Sequence, residues 1–245
     1  MYLTNRAFLL GGITMIVLAV AIVLVFGLSL AGMSEEDPFN DGEIAKYLTD
    51  VNDNEDAIIA AAAVGIVVDA VIALVFAALL YVLFRDRSRL LALLAFSGFL
   101  AGGAVTSVVD GSNILLTQIA EDFVKGGPNG LAAGDPAALE AGRVLAMTTL
   151  AFNQIASTAL ALGFVALGMI LALAPLGAVN PPRWLGWIAI VTGVAGWLSW
   201  FIVLTDAAFV FFPISGLGTL IVLLGVGGWL IAHRDQEPAT AIAAA

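Results

Sequence analysis

The chain of 245 residues contains no cysteine, and its one histidine, His233, lies close to the C-terminus. Without cysteine the protein cannot form disulfide bonds, use a thiolate nucleophile or bind a metal ion through sulfur. Histidine ligation of zinc or haem inside the apolar segments is excluded as well, because His233 follows the last of them. The sequence therefore predicts neither a cofactor nor a metal site.

Charged residues are also scarce. They form 11% of the chain, whereas hydrophobic residues form 61% and the mean hydropathy is +1.05. These values lie far outside the range of soluble domains, so the solvent for which this chain is built is a lipid bilayer. Composition alone predicts an all-α polytopic membrane protein, with the bilayer and not a nucleic acid as its partner.

Six apolar runs are long enough to cross a ~30 Å hydrocarbon core, which takes about 20 helical residues. The first run is too long for the apolar region of a signal peptide, and we interpret it as a retained helix. The sequence thus predicts a single transmembrane domain over 1–245, a six-helix bundle, with outer loops at 32–56 and 120–143 and a flexible cytoplasmic tail at 233–245. The predicted helices lie near 8–31, 57–84, 90–119, 144–174, 184–206 and 208–232.

The distribution of basic residues predicts the orientation, because loops next to helix ends carry more Lys and Arg on the cytoplasmic side. With both termini inside, six of the nine basic residues are cytoplasmic, and only Lys46, Lys125 and Arg143 are outside. The acidic residues then collect outside, with nine of them between Glu35 and Asp56. We therefore expect an integral protein of a prokaryotic cytoplasmic membrane, with both termini in the cytoplasm and acidic loops outside.

The outer loop at 32–56 combines an amphipathic stretch at 43–48, which predicts a short surface helix, with an acidic run at 50–56. The run resembles a calcium-binding loop, but an EF-hand needs Gly at position six and Glu at position twelve. Counted from Asp50, those positions hold Glu55 and Ala61. The favoured interpretation is the solvated, acidic start of a helix, where negative charge suits the helix dipole.

Three aspartates, Asp69, Asp110 and Asp206, lie inside or at the rim of the apolar runs. A carboxylate in hydrocarbon costs a few kcal/mol, so such residues usually face a cavity, a partner or water. At 1.5 Å per residue, Asp69 lies ~23 Å and Asp110 about 30 Å from the cytoplasmic ends of their helices. Both therefore belong to the outer half of the membrane, whereas Asp206 fits a solvated turn at the surface.

Other polar residues share this depth. Thr106, Asp110 and Asn113 lie on one face of helix three, because residues three or four apart are neighbours on a helix. Two interpretations stay open: a polar lining that binds a small ligand or a cation, and ordinary hydrogen bonds that hold membrane helices together. The candidate ligand-binding residues are Asp69, Thr106, Asp110, Asn113, Asn153 and Gln154.

Gly98 and Gly102 form a pair of small residues four positions apart in helix three. Such a pair allows two helix backbones to approach closely. The partner helix belongs either to the same chain, which we favour, or to another membrane protein or a second copy of this chain.

Two segments carry a resemblance to a known family. The segment Tyr81–Asp86 and the later segment Asn180–Ile188, which contains Pro-Pro-Arg-Trp-Leu-Gly-Trp, together with the six-span layout, resemble a family of bacterial and archaeal membrane proteins defined as a domain of unknown function. The resemblance extends from helix one to helix six. Family members often carry Arg and Glu in helix three, where this chain has Ser97 to Phe99 and Gly102 to Gly103. The resemblance implies an architecture and no activity.

Three classes of function follow. The leading hypothesis is a non-enzymatic structural, assembly or accessory membrane protein, which needs only packed helices and a partner surface. The alternative is an outward-facing protein that binds or transports a small ligand or a cation through the outer-half polar cluster. Enzymatic carboxylate chemistry is disfavoured, because the predicted spans hold no base, metal site or nucleophile beside the aspartates.

Overall fold

The computed structural model describes residues 2–31, 43–127, 132–173, 181–199 and 210–234. Within these ranges the chain is all-helical and contains no β-strand. The elements are α1 Tyr2–Ala31, α2 Ile44–Asp53, α3 Glu55–Val71, α4 Ala77–Phe84, α5 Arg89–Lys125, α6 Pro136–Leu173, α7 Arg183–Ser199 and α8 Phe211–Ala232. Helices α3 and α4 are joined by a π-helical stretch, Ile72–Phe76, so they form one continuous helix.

Five helices in the described part of the chain are long and apolar enough to cross a membrane. This agrees with the predicted class of membrane protein. The fifth predicted span, near 184–206, corresponds to α7, of which 17 residues are described. Its remainder, including Asp206, lies outside the described residues. The five spans are Arg6–Leu28, Glu55–Phe84, Arg89–Lys125, Pro136–Leu173 and Phe211–Ala232.

Helices α5 and α6 are longer than the sequence predicted, at 37 and 38 residues. At 1.5 Å per residue each measures about 55 Å, well beyond a ~30 Å hydrocarbon core. The difference comes from residues 120–125 and 136–143, which were expected in a loop and are helical. Asp135 explains the early start of α6, because its Oδ1 accepts a hydrogen bond from the Ala137 N–H at 2.7 Å and Pro136 takes the first helical position.

By its contacts the chain divides into two compact units. The first consists of Met1–Val20, Ala70–Gly103 and Ala156–Ala245, and the second of Ala21–Asp69 and Ala104–Ile155. The first unit packs through small residues: a Cβ on Gly98 would lie 2.6 Å from the backbone nitrogen of Gly163. A Cβ on Gly102 would similarly meet Leu160 at 2.5 Å. The Gly98 and Gly102 pair thus packs against α6 of the same chain.

In the second unit, α2 buries one face in an apolar cluster, as its spacing requires. Ile44, Leu48 and Val51 lie on one side of α2 and pack with Leu116 and Ala120 of α5. A short helix was predicted here, on the surface. The observed helix is longer and Leu48 is completely buried. The extended ends of α5 and α6 provide the surface against which it packs, through the partly buried Phe123, Leu139 and Leu145.

The acidic run at 50–56 is helical on both sides of a single residue, Asn54. The Asn54 side chain donates a hydrogen bond to the Asp50 carbonyl at 2.9 Å, which closes the end of α2. Glu55 and Asp56 occupy the first turn of α3. This is the acidic helix start favoured by the sequence, and it differs from the geometry of an EF-hand loop.

Candidate functional site

Asp69 and Asp110 meet inside the second unit. Asp69 lies on α3 and Asp110 on α5, each within a span long and apolar enough to cross a membrane. Their side chains form a hydrogen bond with each other. Asp69 is only 8% exposed, and Asp110 is half-buried. The structure therefore brings together two of the three aspartates that the sequence places in or beside apolar runs.

The hydrogen bond has a chemical consequence. An ionised carboxylate only accepts hydrogen bonds, so two carboxyl groups can bond to each other only if one of them carries a proton. Neither group forms an ion pair with a basic side chain in the described part of the chain, so no positive charge there balances a second ionised carboxylate. Two negative charges side by side in an apolar environment repel strongly. The geometry is that of a carboxyl pair that shares a proton.

One oxygen atom of the pair is unengaged. Oδ2 of Asp69 is buried and accepts no hydrogen bond from any described residue. A buried polar atom without a partner costs about 1–3 kcal/mol. Such atoms in native structures point to a bound ion, a water molecule or a functional role.

Gly65 makes room for the pair. It lies one helical turn before Asp69 on α3, and a Cβ at this position would overlap the carboxylate of Asp110, with the Asp110 Cγ only 2.8 Å away. Any larger residue would push Asp110 out of its place. Gly65 was not among the predicted site residues, although its signal was available: a glycine and a carboxylate four residues apart share one face of a membrane helix.

The family of the protein follows from its sequence. Residues 9–233 match the family described as Domain of unknown function (DUF4386). The chain belongs to the DUF4386 family. The match confirms the resemblance seen in the sequence and includes Asp69 and Asp110. No curated protein matches this DUF4386 chain, and no solved structure matches it.

The other predicted site residues of this DUF4386 protein lie on α5 and α6. Thr106, Asn113 and Asn153 are half-buried, and Gln154 is exposed. The hydrogen bond that defines the pair includes none of them. Thr117, four residues after Asn113 on α5, donates a hydrogen bond from its hydroxyl to the Ile114 carbonyl of its own helix at 2.9 Å.

An open cavity of about 410 Å³ lies along α6 in the second unit. Its surface is mostly apolar, and its one hydroxyl group, on Thr148, donates to the Val144 carbonyl at 2.8 Å. The cavity therefore offers contact for hydrocarbon and little polar chemistry. It is lined by Met147, Thr148, Ala151, Phe152 and Ile155.

Metal ligation finds no support in the described residues. They contain no group of three or more His, Cys, Asp or Glu side chains that could hold a metal ion. The π-helical stretch begins three residues after Asp69. Such stretches are rare and occur frequently at functional sites, which sets this part of the helix apart from the other spans.

Proposed function

We propose that this protein is a non-enzymatic integral membrane protein that binds and releases a proton at the carboxyl pair of Asp69 and Asp110. The observation that carries the proposal is the hydrogen bond between the two carboxyl groups, inside spans that provide no basic partner. The unengaged Oδ2 of Asp69 supports it, because this atom can accept a further proton or a small cation.

The topology that we propose determines which side of the membrane this site is nearer to. Six spans with both termini in the cytoplasm of a prokaryotic cell place the acidic loops outside and the pair in the outer half of the membrane. The distribution of basic residues supports this orientation. The predicted inner halves of the helices are nearly uncharged, which favours binding or sensing on the outer side over a transport pathway through the membrane.

The test is infrared spectroscopy of the full chain in nanodiscs, which detects the C=O stretch of protonated carboxyl groups. We expect a protonated carboxyl band at neutral pH that disappears in Asp69→Asn and in Asp110→Asn. The matched control is Asp56→Asn, an exposed acid in the first turn of α3, which should leave the band unchanged. Absence of the band from the wild-type protein at neutral pH would refute the proposal. Loss of the band on addition of sodium would show that this cation competes with the proton.

A second candidate function rests on a different observation. In four of the five spans, 39% or less of the most apolar window is buried inside the chain. These open faces favour a structural, assembly or accessory subunit that packs against another membrane protein. Affinity purification from native membranes tests this: a partner recovered in stoichiometric amounts, and retained by Asp69→Asn, supports the accessory role independently of the carboxyl pair.

A further inference from the structure

Arg87 lies in the short segment between two spans, after Phe84 and before Arg89. It belongs to the first unit, whereas the carboxyl pair belongs to the second. Its nitrogen atoms Nε, Nη1 and Nη2 are all buried, and none of them has a hydrogen-bond partner among the described residues. A guanidinium group carries five N–H donors. Arg87 therefore has the largest number of buried donors without a hydrogen-bond partner among the described residues.

The contacts of Arg87 offset only part of the free-energy cost of burying N–H donors without hydrogen-bond partners. The guanidinium lies over the ring of Phe84, at 5.3 Å from its centroid, which provides a cation–π contact. Burial lowers the pKa of Arg87 to about 10, yet at neutral pH the group is still charged. The face of the Phe84 ring attracts the positive charge of the guanidinium, but it offers no oxygen or nitrogen acceptor to the N–H groups. The geometry leaves Arg87 in need of an anion with several acceptor oxygens.

Two neighbouring features strengthen the attraction for an anion. Arg85 and Arg89 are exposed, and Asp86 is the one acid between Arg85 and Arg89, so this segment has a formal charge of +2. Asp86 is 3.8 Å from Arg85 and both are solvent-exposed, so this ion pair is weak and leaves Arg87 unneutralised. The segment also leads into the N-terminus of α5, where the helix dipole favours negative charge.

We propose that Arg87 binds the phosphate group of an anionic phospholipid at the membrane surface. The segment joins the ends of two membrane-spanning helices, which is the level of the headgroups. Rotation of the long side chain away from Phe84 takes its guanidinium into this layer, as arginine side chains near helix ends commonly do. Its planar fork then pairs with two phosphate oxygens at once, which lysine cannot match.

A free phosphate ion offers the same chemistry, so the experiment must separate the two sources. Full-length protein is purified in detergent, depleted of lipid, and titrated with phosphatidylglycerol, phosphatidylcholine or inorganic phosphate. Native mass spectrometry counts the bound molecules and gives their affinity, and the shift of the unfolding temperature reports stabilisation. The proposal predicts preference for phosphatidylglycerol over phosphatidylcholine, and no comparable stabilisation by inorganic phosphate.

The variants test Arg87 itself. We expect Arg87→Gln to weaken phosphatidylglycerol binding roughly tenfold or more, the range for lost hydrogen bonds to charged groups. Arg87→Lys keeps the charge and loses the planar fork, so its binding should also fall. The matched control is Arg85→Gln in the same segment, whose exposed side chain should change the affinity by about twofold at most.

Three outcomes would overturn the proposal. Equal losses in Arg85→Gln and Arg87→Gln would mean diffuse attraction by the basic segment. Full stabilisation by inorganic phosphate, with no gain from phosphatidylglycerol, would assign the site to a free anion. If Arg87→Gln fails to fold, Arg87→Lys decides instead, and unchanged lipid affinity in that variant would refute a specific guanidinium–phosphate contact.

Discussion

The carboxylate of Asp110 occupies the space that a side chain would fill on Gly65. A glycine on α3 therefore determines how closely α5 approaches, and with it the distance between Asp110 and the next polar residue of α3, Asp69. The hydrogen bond between the two aspartates follows from this approach. The absence of a side chain on Gly65 thus allows Asp110 to form its hydrogen bond with Asp69.

Gly65→Ala should separate the pair. The added methyl group overlaps Asp110, and overpacking of this kind costs about 1–3 kcal/mol, beyond the gain of ~1 kcal/mol for alanine in a helix. Thermal unfolding in detergent and the protonated carboxyl band measure both effects. Gly111→Ala is the control, because nothing lies within 4 Å of a Cβ at this position of α5. Equal unfolding temperatures of Gly65→Ala and wild type would contradict the contact.

Asp69→Asn should remove the part of the pH dependence of stability that comes from the shared proton. The amide group of asparagine donates a hydrogen bond to the Asp110 carboxylate without a shared proton. In the wild type the folded pair keeps a proton that an unfolded aspartate releases above about pH 4, so the unfolding temperature should fall as the pH rises from there until the folded pair also loses this proton. Asp69→Ala leaves Asp110 without its partner and should cost about 1–3 kcal/mol at any pH. A parallel fall of the unfolding temperature with pH in wild type and Asp69→Asn would contradict this prediction.

Tyr47, which lies on α2 outside the five candidate spans, should give the second unit an alkaline transition. Burial against the α2 cluster raises the pKa of the Tyr47 phenol above its ordinary value of 10.0. The unfolded chain therefore releases this proton first as the pH rises, and the fold loses stability above pH 10, by about 1.4 kcal/mol for each pH unit until the folded pKa is reached. Unfolding measured by circular dichroism between pH 9 and pH 12 should show this loss in wild type and not in Tyr47→Phe.

Leu48→Ala should loosen α2. Leu48 is fully buried, and its side chain fills the space beside Gly142, where a Cβ would lie 2.8 Å from the Leu48 Cδ2. Truncation of a buried leucine costs about 2–5 kcal/mol. Hydrogen exchange should therefore become faster in α2 amides. Thr49→Ala is the control, because Thr49 is exposed and its hydroxyl bonds only to the Ala45 carbonyl of its own helix. Unchanged exchange in Leu48→Ala would show that the cluster does not hold α2.

The features that were predicted correctly from the sequence are those that depend on the hydropathy of a single segment. An apolar run forms a helix in lipid whatever its neighbours, because the backbone has no other partner for its polar groups. The class of protein and the described spans were predictable for this reason. The predicted end of helix three at 119 was too early, because charged residues such as Glu121 and Asp122 suggested a loop. Those residues lie on α5, which continues to Lys125.

The sequence by itself indicated a membrane protein and placed Asp69 and Asp110 within long apolar segments. The tertiary structure decided that the acids meet and that Gly65 admits one of them. It also decided that the guanidinium nitrogens of Arg87 are buried without a hydrogen-bond partner among the described residues. Hydropathy depends on the composition of each segment and can be read along the chain. A contact between helices depends on which faces turn toward each other, and only the packed structure fixes that rotation.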